Sequence, residues 1–197
     1  MASKAKTNGR VATTESIGFY VPQIDIRRMD VTIIGDSPLM THAWSDKAMK
    51  MIQDKQTKKA TKGKEARDPH QDYLDAHYWT PEGKPAMPSI AFKRAAVSAC
   101  RDLDMKMTES RGRFHIDGEL IEIIGEPHMR TDMVRVGMGV ADMRYRPEFI
   151  EWSATLPITY NATTISPEQI INLLNVAGFG VGVGEWRPEK SGQHGRF

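Results

Sequence analysis

Two adjoining segments decide the fold: Trp152-Ser153-Ala154-Thr155-Leu156-Pro157-Ile158-Thr159-Tyr160, and the run from Ser166-Pro167-Glu168-Gln169-Ile170 to Gly178-Phe179-Gly180-Val181-Gly182-Val183-Gly184. In the first, apolar side chains fall on every second residue (Trp152, Ala154, Leu156, Ile158, Tyr160), the period of a strand with one buried face. Residues 150–160 therefore read as a long strand. In the second, Ser166 can cap a helix, Pro167 fits its first position, and Gln169 completes a capping box. Ile170, Leu173, Leu174 and Ala177 then follow helical spacing, and Gly178 reads as the stop. Four glycines at alternate positions follow, Gly178 to Gly184, and a short strand is expected after them.

Working outward, Asp30-Val31-Thr32-Ile33-Ile34 is a β-rich run closed by the turn cluster Gly35-Asp36-Ser37-Pro38. Ser45 is placed to cap a short helix with Ala48, Met49 and Ile52 as its inner face, and Asp68-Pro69 opens a second helix. Ser89 is expected to cap a third, whose stripe is Phe92, Ala96, Cys100 and Leu103. Leu120–Ile124 and Met133–Val136 read as strands. This order gives an α+β fold of ferredoxin-like (RRM-like) type, with helices on a mostly antiparallel sheet. Residues 1–22 read as a tail ordered against a neighbouring subunit, and 23–197 as one domain with insertions at about 53–68 and 104–148.

Composition narrows the function classes. The chain has 197 residues with 27 Lys+Arg and 25 Asp+Glu, so a uniformly basic nucleic-acid binder is not indicated. The lone Cys100 offers no disulfide, and no apolar leader or membrane span is evident, which predicts a cytoplasmic protein. The charge is nevertheless clustered. Lys47 to Arg67 holds eight basic residues against two acids, a local +6 that reads as a basic loop around Lys55–Lys64, either solvated or reaching a ligand. Arginine dominates from Arg111 through Arg113, Arg130, Arg135 and Arg144 to Arg146, and its planar fork matches phosphate.

The glycine run permits positive φ and close approach of a backbone to a phosphate or to another chain. It is no dinucleotide fingerprint, because the helix precedes the glycines, and no Gly-Lys-Ser/Thr follows. A helix cap with a close-packed loop is the plainer reading. Trp186, Arg187, Lys190, His194 and Arg196 then set cationic and stacking groups beside that backbone, a combination suited to single-stranded nucleic acid. Of the four tryptophans, Trp186 is the one expected to stack a base.

The ending Gly182-Val183-Gly184-Glu185-Trp186-Arg187-Pro188-Glu189-Lys190-Ser191-Gly192-Gln193-His194-Gly195-Arg196-Phe197 resembles the C-terminal glycine-rich signature of the RAMP superfamily, the RRM-like proteins of CRISPR systems. Val31–Met40 is similar to the first strand and following loop of that family, and Pro88–Ala96 to the start of its first core helix. The likeness extends to the backbone subunits that polymerise along a guide RNA and to bacteriophage proteins with nearly the same ending. It implies a ferredoxin-like core, an inserted thumb hairpin and head-to-tail assembly into a homo-oligomer or filament on single-stranded RNA or DNA. It further implies phosphate contacts from Lys93 and Arg94, a strand passing near Gly182, Gly184 and Arg187, and a thumb carrying Arg111, Arg113, Arg135, Arg144 and Arg146.

Catalysis has weaker signals. No His pair or Cys/His set has metal-ligand spacing, and no cofactor motif appears, so neither metal nor cofactor is expected. Related processing enzymes use a metal-independent His base, for which His42 and His115 are the candidates. A thumb aspartate of the kind that cleaves target strands would be Asp117 or Asp132. The leading expectation is binding without chemistry. A metal-independent endoribonuclease, and a phage structural or CRISPR-interacting protein, are the alternatives.

Overall fold

The computed structural model describes residues 23–44, 46–57, 66–137 and 139–197. The 1–22 tail, the Lys58–Lys64 part of the basic loop and the expected cap Ser45 lie outside them. Strand β9 (Ser153–Asn161) is the centre of the main sheet, flanked by β1 (Ile26–Ile34) and β5 (Phe114–Ile116) in the order β1-β9-β5. Both neighbours are antiparallel to β9, so β1 and β5 run parallel to each other with β9 between them. The alternation read in the sequence survives: Ala154, Leu156, Ile158 and Tyr160 are buried, joined on that face by Ile33, Phe114 and Ile116.

Helices α3 (Ser89–Ala99) and α5 (Pro167–Val176) close this core with Phe92, Ala96, Ile170 and Leu173. Each large apolar side chain taken fully from water contributes about 1.5–3 kcal/mol, which fixes both helices to one face of the sheet. The opposite face is polar. Arg28, Thr159 and His115 form one cross-strand row on it, and Thr32 meets Thr155 at 3.1 Å in another.

Two smaller sheets complete the molecule. Strands β7 (Pro127–Val136) and β8 (Val140–Phe149) form a long hairpin, with β2 (Leu39–Met40) paired to the base of β8. Strands β3 (Tyr78–Trp79), β4 (Pro85–Pro88) and β6 (Leu120–Glu122) form the third sheet. The remaining helices are α1 (Asp46–Gln56), α2 (Pro69–Asp75) and α4 (Met107–Arg113). The fold is thus mixed α and β with antiparallel sheets. No helix among the described residues is long and apolar enough to cross a membrane.

Several local expectations change. The capping box of α5 is formed, with Ser166 Oγ accepting from Gln169 N at 3.3 Å and Gln169 Oε1 from Ser166 N at 2.9 Å. Gly178 does not end the helix. The chain continues as a π turn over Ala177–Val181, closed when Gly182 N donates to Ala177 O at 2.8 Å and φ reaches +68°. Gly178 serves packing instead, since a Cβ there would stand 1.9 Å from Phe197 O.

No strand follows the glycines, and no fourth strand joins β1 among the described residues. Residues 182–197 instead lie irregularly on the stretch that follows β1: Glu185 N donates to Met40 O, Gly195 N to Pro38 O, and Asp36 N to Arg196 O. Ser89 lies inside α3, where its hydroxyl donates to Gly118 O at 2.6 Å rather than capping. Met49 and Ile52, expected on the inner face of α1, are exposed. Strand β5 falls within the 104–148 stretch read as an insertion but belongs to the main sheet.

Candidate functional site

An open groove of about 990 Å³ runs beside α3. One wall is the outer side of α3, with Ile90, Lys93, Arg94 and Ser98. The other comes from α4 and β5 through Met107, Arg111 and His115. The segment from Val181 to Glu185, with Arg187 and Glu189, crosses one end, and His42 and Tyr78 continue the lining. The fold therefore brings together Lys93, Arg94, Arg111, Gly182, Gly184, Arg187, His42 and His115 from four separated stretches of chain. It does not bring Arg113, Arg135, Arg144, Arg146, Trp186 or Lys190 to this groove.

The cations in the groove are not equivalent. Arg94 and Arg111 are exposed, and neither makes an ion pair among the described residues, so both forks are available to an anion. Lys93 is half-buried. Its ammonium donates to the Phe114 carbonyl and sits 3.6 Å from the centroid of the Phe114 ring. Burial pulls its pKa down to about 8, because the charged form loses more hydration than the carbonyl and ring return. Arg187 is held by Glu189 at 3.0 Å and donates to Gly184 O at 3.1 Å, so its charge is largely matched.

The glycines are explained by the chain itself. Gly182 and Gly184 have φ of +68° and +77°. A Cβ on Gly184 would lie 2.3 Å from Met40 O, and one on Gly182 would lie 2.7 Å from Pro188 Cδ. The close approach they permit is therefore that of the chain's own loops, and the Cβ-free space is filled before any ligand arrives.

Arg146 and Trp186 are corrections to the expected interface. Arg146 is 2% exposed, and its Nη2 donates to Asp132 Oδ2 at 2.7 Å, with Asp132 itself 9% exposed. A guanidinium in that position cannot reach a phosphate. Trp186 has φ of +52° and is clamped: the Arg146 and Arg130 guanidinium groups lie 4.9 and 5.2 Å from its ring, and His194 meets it edge-on at 5.7 Å. Arg130 also pairs with Asp132 at 3.0 Å and Glu148 at 2.7 Å. This cluster ties the C-terminal segment to the base of the β7-β8 hairpin. It uses Trp186 as a packing element, partly buried against the two guanidinium groups.

Of the other expected residues, Arg113 pairs with Glu109 at 2.7 Å and Lys190 is exposed in a short turn over Pro188–Lys190. Arg135 is exposed on the hairpin without an ion pair among the described residues, and Arg144 lies 3.5 Å from Asp142. Asp117 accepts from Thr159 Oγ1 at 2.5 Å, so neither it nor the buried Asp132 is presented as a free carboxylate. Burial, reinforced by Arg144 and Arg146, keeps the His42 pKa below its ordinary value, so it is neutral near pH 7. Among the described residues, no group of three or more His, Cys, Asp or Glu is placed to hold a metal ion.

The polar face of the main sheet bears on the RRM comparison. RRM sheets stack bases on aromatic side chains of that face, whereas here its rows carry Thr32, Thr155, Thr159 and His115. The groove runs along α3, α4 and the edge strand β5 and takes no lining from β1 or β9. Sequence reasoning passed over Trp44, which is 69% exposed beside His42. The signal available for Trp44 was its lack of a periodic apolar partner. No known family model matches the chain, and no curated protein matches it.

Proposed function

We propose that this protein binds single-stranded RNA or DNA in the groove beside α3 and does so without chemistry, as a RAMP-like protein of ferredoxin-like type. The observation that carries the proposal is the convergence of Lys93, Arg94, Arg111 and Arg187 on one groove, with Arg94 and Arg111 making no ion pair among the described residues. The phosphate backbone would lie along α3, where Arg94 and Arg111 offer planar donor forks. Support for the ferredoxin-like reading is the parallel pair β1 and β5, joined through α3, with β9 between them. The hairpin β7-β8 would correspond to the inserted thumb, with Arg146 turned inward at its base and Arg135 exposed near its tip. Head-to-tail assembly belongs to the same proposal. It is favoured by the exposed Ile34, Ile124 and Ile150, which line one shallow cavity.

The test is a titration of labelled single-stranded RNA and DNA between about 50 and 200 mM salt, with wild type and an Arg94→Ala/Arg111→Ala variant. Binding should weaken steeply with salt, and the variant should lower the log–log slope by about 1.4, from two phosphate contacts at ~0.7 each. Absence of binding at the lowest salt would sink the proposal and favour a protein-interaction role. A second reading, the metal-independent endoribonuclease, rests on a neutral His42 and on His115 lining the same groove. Cleavage of an RNA hairpin in EDTA, lost in His42→Ala, is its requirement.

A further inference from the structure

A second cavity of about 470 Å³ adjoins the groove and shares His42 with it. We infer that this cavity receives a nucleobase of the bound strand, with Trp44 as the stacking platform; this rests on the reading of the groove as a single-strand site. The walls are the 42–44 loop, the end of α2 with Asp75 and Ala76, and β8 with Arg144 and Tyr145. An exposed tryptophan is ordinary when it stands alone on a surface. Trp44 differs in its position, at the junction of the cation-bearing groove and a pocket that also carries His42 and Tyr145, with Arg67, Arg144, Asp72, Asp75 and Asp142 among its polar lining.

The other tryptophans are committed elsewhere. Trp152 is buried and donates to Ser37 O at 2.9 Å, Trp79 stacks on His77 at 4.4 Å, and Trp186 is clamped by arginines. Trp44 makes no hydrogen bond or ring contact among the described residues, so its π-face is open. Across the pocket, Arg67 lies over the Tyr145 ring at 5.8 Å and pairs with Asp72 and Asp142, which holds the far wall in place. A strand whose phosphates meet Arg94 and Arg111 can turn one base past His42 onto the indole. Single strands are recognised in this way, by cations along the backbone and aromatic faces under splayed bases. Every base has a π-face, so the contact adds affinity with little sequence preference.

The experiment uses the full chain and a short single-stranded oligonucleotide carrying 5-iodouracil, irradiated and mapped by mass spectrometry. The adduct is expected on Trp44. Trp44→Ala should weaken binding by about 5- to 150-fold, Trp44→Phe should retain most of the affinity, and neither should change the salt slope. The thermal midpoint of both variants should match wild type, because the side chain is largely in solvent. If Trp44→Ala binds within about twofold of wild type, Trp44 is not the platform, although the groove reading stands. Should wild type bind no strand at low salt, the groove reading and this inference fall together.

Discussion

Replacing Arg146 by Met tests whether this arginine holds the fold or a ligand. Its Nη2 lies 2.7 Å from Asp132 Oδ2, with the two side chains 2% and 9% exposed. Breaking a buried pair by removing one partner typically costs about 3–5 kcal/mol, since the remaining charge is left in the interior. Three features place Arg146→Met at the low end. Asp132 keeps Arg130 Nε at 3.0 Å, Arg146 Nε has no hydrogen-bond partner among the described residues, and the Glu185 contact at 3.6 Å involves a carboxylate 46% exposed. Loss of the cation–π contact with Trp186 adds about 0.5–2 kcal/mol. The expected destabilisation is therefore about 3.5–5 kcal/mol. For a chain of this size that is a fall in Tm of about 7–20 °C.

Urea unfolding followed by circular dichroism gives the free energy, and oligonucleotide titration under folding conditions gives the affinity. Removing both charges, as Arg146→Met with Asp132→Leu, should show a coupling energy of at least about 1 kcal/mol. Arg94→Ala, at an exposed position, should stay within about 0.5 kcal/mol of wild type. Arg146→Met costing under about 1 kcal/mol while reducing affinity tenfold would refute the reasoning, because it would mean that the guanidinium reaches the ligand.

Three further outcomes are expected. Burial holds His77 at a pKa of about 4, so between pH 6.5 and 4 the unfolded chain binds a proton that the folded chain refuses. Stability should therefore drop as the pH is lowered through that range, by up to about 1.4 kcal/mol per unit, and urea unfolding of His77→Phe should lack that component. Lys93, at about 8, works at the other end: from pH 8 to 10.5 the unfolded chain holds the extra proton, so stability should rise with pH. Lys93→Met should lose that rise, and an identical alkaline slope in both proteins would contradict the burial argument. Gly184→Ala and Gly195→Ala place a Cβ 2.3 Å from Met40 O and 1.7 Å from Val183 O at positive φ, and should each cost more than about 2 kcal/mol. Gly180→Ala meets nothing nearer than 3.8 Å and should fall within about 0.5 kcal/mol of wild type in the same unfolding assay.

Much of the architecture was legible because it is written in local periodicity. The β9 alternation, the Ser166–Gln169 capping box and the Asp68 cap, which accepts from His70 N at 3.0 Å, depend on residues within a few positions of one another. The cations Lys93, Arg94 and Arg111 were legible as candidates for a related reason: two are helix neighbours on a face not needed for the core. Arg146 and Trp186 were misread because a charged or aromatic residue near glycines looks the same in sequence whether it faces solvent or a buried carboxylate.

The sequence by itself determined the central strand β9 with its alternating buried face, the capped helix that follows it, and that the cations are clustered. Only the tertiary structure decided what each glycine and arginine faces. Gly184 meets Met40 and Arg146 meets Asp132 across long separations in the chain, and a contact of that kind carries no local periodicity. The same holds for the site: His42, Trp44, Arg94 and Arg111 acquire a joint meaning only when the packing of α3 against β1-β9-β5 sets two cavities side by side. Hydrophobic burial chooses that packing, and the polar groups take the neighbours it leaves them.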